Sequence, residues 1–177
     1  MRYILDDNPS RFTVRAFSSG MLSMMGHSPT IAIRKFTGEA EYDSAAPAQA
    51  SLRVTIRADS LEVTDDISGN DRKEIESAMQ QKVLEISKYP EIVFEAKGAS
   101  ASQNRITMNG SLTLHGDTQR LPVTAQVNIL GDMIRMTGEF SILQSDYSIP
   151  LVSVAGGALK LKDQLKFAFD IVARKQD

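Results

Sequence analysis

Residues 105–143 read RITMNGSLTLHGDTQRLPVTAQVNILGDMIRMTGEFSIL, and the reading of this stretch decides the fold class. Ile106, Met108, Gly110, Leu112 and Leu114 share one face, while Arg105, Thr107, Asn109, Ser111, Thr113 and His115 share the other. The pattern resumes after Gly116-Asp117-Thr118 with Leu121, Val123, Ala125, Val127 and Ile129. It resumes again after Gly131-Asp132 with Ile134, Met136, Gly138, Phe140 and Ile142. Period-two alternation broken by glycine-containing turns predicts an antiparallel meander with one dry face and one wet face. The strands are long, about 10–12 residues against a usual mode of about 5–6. Long one-sided strands in sequence order must roll up to hide the dry face, so the inner surface is the first place to look for function.

The alternation extends in both directions. Phe12, Val14 and Ala16 mark a first strand, and Leu52, Val54, Ile56 and Ala58 a third. Ile92, Phe94 and Ala96 mark a fourth, and Leu165, Phe167, Phe169, Ile171 and Ala173 the last. Residues 30–42 are strand-like with two competing phases, one turning Ile31 and Ile33 inward, the other Phe36, Ala40 and Tyr42. From about 70 to 87 the rhythm changes. Ile75, Ala78, Met79, Val83 and Ile86 recur at three- and four-residue spacing, the mark of an amphipathic helix. Ser68 or Asn70 can cap its start, and Pro90 lies beyond its end. The expected fold is all-β: an extended eight-stranded antiparallel up-and-down barrel, a single domain over residues 1–177, with the helix across an open end or a sheet edge. The inward series includes small residues at Ala16, Ala58, Ala96, Gly110, Ala125 and Gly138. Strands of this length make a barrel about 30 Å tall. Two interiors stay open: an elongated apolar tunnel, or a core filled by Phe and Met side chains.

Composition excludes several function classes. The 20 basic and 22 acidic residues nearly cancel and are scattered, so no basic stripe points to nucleic acid. The absence of cysteine removes disulfides, thiol catalysis and zinc–thiolate sites. His27 and His115 are too far apart in the chain to make a metal motif, and His115 is expected exposed at a strand end. There is no nucleophile elbow and no dinucleotide fingerprint, and Ala155-Gly156-Gly157-Ala158-Leu159-Lys160 lacks the second half of a phosphate loop. A non-enzymatic protein without a cofactor is expected. No apolar run approaches the ~18 residues of a membrane helix, so stable membrane insertion is not expected. The start, Met1-Arg2-Tyr3-Ile4-Leu5-Asp6-Asp7, lacks the apolar stretch of a signal peptide. The expected location is cytoplasmic, or periplasmic if a leader has been removed.

Four segments carry a family resemblance. Ser87-Lys88-Tyr89-Pro90-Glu91-Ile92-Val93-Phe94 resembles the "yP-x-I-x-F" segment of the YceI-like, polyisoprenoid-binding family. Asn109 to Gly116 resembles its "G-x-L-t-l-x-G" hairpin, and Asp59-Ser60-Leu61 its "SL" turn. Phe140-Ser141-Ile142 through Asp146-Tyr147-Ser148-Ile149 resembles its "F-x-i…d-y-G-i" run. The match is collinear over nearly the whole chain. It implies a lipocalin-like barrel with a helix, holding a long isoprenoid chain. Three features depart from the pattern: Gln144 where an arginine is common, Ser148 in place of glycine, and a methionine-rich insert from Ser18 to His27.

The expected lining is Phe12, Val14, Leu52, Val54, Ile56, Phe94, Met108, Leu112, Val123, Ile134, Met136, Phe140, Phe167 and Phe169. Met21, Leu22, Met24 and Met25, between Gly20 and Gly26, are expected at the mouth as a lid or a permanent plug. His27 either orients a head group there or fixes a loop. Lys160, Lys162 and Lys166 either meet an anionic head group or form a solvated strand face. The function expected from resemblance and apolar interior together is binding, storage or transport of an amphiphilic polyisoprenoid, such as a prenyl quinone or polyprenyl phosphate. The alternative is a ligand-free scaffold or stress-response protein acting through its outer surface or by self-association. Phe17, Phe36, Leu130, Met133, Leu143 and Val172 are the outward apolar candidates for a homodimer interface.

Overall fold

In the computed structural model, which describes residues 1–19, 28–154 and 159–176, the alternating segments join into one sheet that closes on itself. Strands β1 (Arg2–Ser19), β2 (Thr30–Ile33), β3 (Phe36–Glu41), β4 (Ser51–Arg57) and β5 (Leu61–Val63) precede helix α1 (Gly69–Ala78). After it come β6 (Glu91–Ser102), β7 (Arg105–Leu114), β8 (Asp117–Leu130), β9 (Met133–Leu143), β10 (Ser153–Val154) and β11 (Leu159–Gln176). Around the ring the order is β1-β3-β4-β6-β7-β8-β9-β11, and antiparallel pairing of β11 with β1 closes it. The result is the eight-stranded barrel that the alternation predicts. β2 and β5 carry the wall of β3 and β4 upward past short breaks, and β10 adds a brief partner to β11.

The two phases of residues 30–42 are both realised, on different strands. Arg34 and Lys35 interrupt the ladder between β2 and β3, and this two-residue link changes which parity faces inward. Ile31 and Ile33 are buried on one side of it and Phe36 on the other. Phe36, which the sequence offers both as an inward residue of the second phase and as an outward interface candidate, is inward: it is only 6% exposed and meets Phe12 edge-on at 4.8 Å. Pairing of β7 with β8 runs to Leu114 opposite Asp117, so the turn is His115-Gly116, one residue earlier than the glycine pattern places it. Both turn residues have positive φ (52° and 80°), as a two-residue hairpin turn requires. Ile129, expected inward, lies beyond the barrel end and is 51% exposed.

The helix begins where Ser68 Oγ accepts from Asp71 N at 3.1 Å. It is shorter than 70–87: α-helical bonding ends at Ala78, and a π-helical turn over Met79–Val83 follows. Glu85 then takes a left-handed φ of 45°, which ends the helical path. Glu76 Oε1 accepts from Val63 N at 2.9 Å, so the helix satisfies one donor on the free edge of β5 and is tied to it.

Two of the small interior residues, Gly110 and Gly138, are covered by phenyl rings. A Cβ on Gly110 would stand 2.3 Å from Phe94 Cζ, and one on Gly138 would stand 2.7 Å from Phe169 Cζ. At each glycine the tip of a phenyl ring takes the space a Cβ would need. Gly110→Ala is expected to cost about 1–3 kcal/mol by overpacking. In a Phe94→Leu background the same change should cost less, because the two closest atoms, Phe94 Cζ and Cε2, are gone while Leu121 O at 3.0 Å remains. Thermal or denaturant unfolding of the four proteins measures this coupling, and strictly additive effects would refute it.

Candidate functional site

One large cavity of about 590 Å3 occupies the half of the barrel beneath α1. Strand alternation brings Phe12, Val14, Leu52, Val54, Ile56, Phe94, Leu112, Val123, Phe140, Phe167 and Phe169 to its wall. Three other expected lining residues, Met108, Ile134 and Met136, point inward at the opposite end. There they border a void of only about 20 Å3. Alternation assigns a side chain to a face of the sheet and says nothing of its height along the barrel axis. Met21, Leu22, Met24, Met25 and His27 lie outside the described residues.

The helix completes the wall. Ile75, Ala78, Met79, Val83 and Leu84 face the cavity from above, with Ile149, Val152 and Leu161 beside them. The apolar stripe of the helix was legible in sequence. Its membership of the wall follows only from the way α1 lies over the open end. Among the described lining residues just four are polar: Ser18, Glu74, Gln144 and Lys160. Glu74 and Lys160 are exposed. Lys162 is exposed as well, and Lys166 pairs with Glu139 at 2.9 Å across the outer face. Among the described residues no cluster of His, Cys, Asp or Glu is arranged to hold a metal ion.

Two polar assemblies hold the roof in place. The first centres on His115, whose side chain is only 8% exposed rather than free at a strand end. Its Nδ1 lies 3.2 Å from Tyr147 O and its Nε2 2.9 Å from Glu85 Oε2. Both partners are acceptors, so both contacts are hydrogen bonds only for the doubly protonated ring. The Tyr89 ring packs 4.7 Å from the imidazole. Bonds from Lys88 and then His115 hold the Glu85 carboxyl below its ordinary value. This set links the segment after the helix to the β7–β8 turn and to a 3-10 turn over Gln144–Tyr147. The second assembly pins that 3-10 turn to β11. Ser145 N and Oγ donate to the two oxygens of Asp163 at 2.8 and 2.5 Å, which depresses the Asp163 pKa. Ser148, standing where the resembling family has glycine, adopts a left-handed φ of 53° to end the turn.

The outward apolar candidates do not gather into one patch. Leu130 (61% exposed) and Met133 face each other at the β8–β9 turn. Leu143 lies at the far end of β9, about 34 Å of strand away. Phe17 and Val172 are half-buried, near opposite ends of the β1–β11 seam.

The YceI-like domain model matches residues 3–173. BcnA of Burkholderia cenocepacia shares the fold at a TM-score of 0.76 and 20% identity, with 95% of this chain and 98% of that one covered. A polyisoprenoid binding domain from Saccharophagus degradans superposes at a TM-score of 0.71 and 14% identity, with 98% of each chain covered. The YCEI protein of Campylobacter jejuni does so at 0.63 and 17%, over 83% of this chain and 85% of that one. No curated protein matches the chain in sequence.

The ion pair at Glu85 sets a pH dependence. Its folded pKa is lowered, so the stabilisation is present above the ordinary carboxylate value of about 4.3 and is lost as pH falls through the folded pKa. Glu85→Gln should therefore melt below the wild type at neutral pH, and the gap should close as pH falls below about 4. Melting curves from about pH 7 to 3 check this. A gap that stays constant over that range would show that the ionised carboxylate does not hold the roof.

Proposed function

This chain belongs to the YceI-like domain family, and from that premise we propose that its barrel binds and carries an amphiphilic lipid whose long isoprenoid chain occupies the cavity beneath α1. The observation that carries this reading is the size and lining of the void. Left without an occupant, an apolar space of about 590 Å3 forgoes the packing contacts its wall could make. Filled with water it would hold about 20 molecules at ~30 Å3 each, with four polar side chains on the described wall to bond them. A hydrocarbon chain meets neither problem, and each methylene taken from water contributes about 0.8 kcal/mol. The likeness to a polyisoprenoid binding domain supports the same class of ligand. Within that class, prenyl quinones, oxidised or reduced, and polyprenyl phosphates are the proposed candidates.

Native mass spectrometry of the purified protein, followed by solvent extraction, tests the proposal directly. A stoichiometric lipid of several hundred daltons is expected. A bare polypeptide mass that stays unchanged after incubation with prenyl quinone and polyprenyl phosphate would overturn it. A second check uses Ala78→Phe, which directs a ring from α1 into the cavity. Lipid loading should fall at least about tenfold while the ligand-free protein melts no lower, since the ring fills empty space.

A further inference from the structure

The four polar residues of the cavity wall are not equivalent. Glu74 and Lys160 are exposed, and Ser18 sits beside Ser28 with 3.4 Å between their Oγ atoms. Gln144 is different: it is 3% exposed, with its side chain on an otherwise apolar wall. Its Nε2 donates to Lys162 O at 2.9 Å. A backbone carbonyl can only accept, so this bond selects the orientation of the amide and leaves Oε1 as the acceptor end. Among the described residues no donor reaches Oε1. An acceptor set in an apolar wall without a donor is costly.

The main chain around Gln144 is pinned as well. Ile149 N donates to its backbone oxygen at 3.1 Å, and Ser145 is clasped by Asp163 on β11. Gln119 Nε2 donates to Asp146 O at 2.8 Å from the opposite side. The acceptor is held still in an apolar site, ready for a donor that the described protein does not supply.

We propose that Gln144 Oε1 receives the head group of the bound lipid, and that the cavity therefore selects an isoprenoid chain ending in a neutral hydroxyl: an alcohol, a phenol or a hydroquinone. This rests on the lipid-binding reading above and narrows it. A quinone offers only carbonyl acceptors, which leave Oε1 unpaired and face it with like partial charge. A phosphate brings negative charge to a wall whose one described cation, Lys160, is exposed and whose other charged side chain is the carboxylate of Glu74. A hydroxyl supplies the missing donor without a net charge.

The test loads delipidated full-length protein with four compounds of one chain length: a polyprenol, a prenyl hydroquinone kept anaerobic, the corresponding quinone, and a polyprenyl phosphate. Competition is read by native mass spectrometry. The hydroxyl-bearing pair should load about tenfold better than the quinone and the phosphate, the range one neutral hydrogen bond supplies. In Gln144→Leu the preference should flatten while quinone loading is retained. Equal loading of all four, a phosphate or quinone preference, or a hydroxyl preference that survives Gln144→Leu would each overturn the assignment. If Gln144→Leu does not fold, the wild-type ratio decides alone. Uptake of none of the four would overturn the lipid reading itself, and this inference with it.

Discussion

Hydrogen bonding between β1 and β11, strands from the two ends of the chain, converts a twisted sheet into a tube. A sheet left open here would present two long edges to solvent and expose its apolar face. Closure instead directs every inward side chain at a common axis, at the strand number where the interior either just fills or holds one small ligand. The seam supplies part of the cavity wall. Phe12 pairs with Phe169 and Val14 with Phe167 across the seam, and all four line the void. Cavity shape is therefore inseparable from barrel closure.

The two halves of the tube are filled differently, and aromatic geometry explains why. The tips of the Phe94 and Phe169 rings turn toward Gly110 and Gly138, into the space a Cβ would need. Phe140 and Phe167 stack at 5.0 Å with an interplanar angle of 5°, so those rings too pack against each other along the wall. In the half away from the helix, Tyr3, Leu5, Met108 and Met136 close the interior almost completely. Beneath α1 the inward positions include Val14, Ala16, Val54 and Val123, too short to meet in the middle. The helix covers that half without filling it.

The roof over the hollow half is organised by polar contacts rather than by further apolar packing. His115, Glu85 and the backbone of Tyr147 join three elements that are distant in sequence, and Asp163 ties the turn to β11. Burial pushes the Tyr147 phenol up to about 12, so that group stays neutral. The outer face, by contrast, is laced with exposed cross-strand pairs such as Arg135–Asp170 and Arg2–Glu39, which water and salt screen. Those pairs favour one strand register. The buried contacts decide how the hollow end is covered.

Much of the architecture was legible in the chain because both kinds of element have short periods. Alternation along 105–143 identifies three strands and their dry face, and the three- and four-residue spacing of Ile75, Ala78, Met79 and Val83 identifies the helix. Periodicity is a local property, so it left residues 30–42 in two competing phases, and only the break at Arg34-Lys35 shows that both are used, with Phe36 inward. It was silent on His115 and Gln144, whose burial depends on elements 30 and 18 residues away in sequence. The sequence by itself thus determined a one-sided all-β barrel with an amphipathic helix, because side-chain direction repeats with the backbone. Only the tertiary structure decided that one half is hollow, that Met108, Ile134 and Met136 lie outside the hollow, and that one buried amide faces it. Those outcomes depend on height along the axis and on how rings tilt against glycine, and neither is encoded in the order of apolar and polar residues.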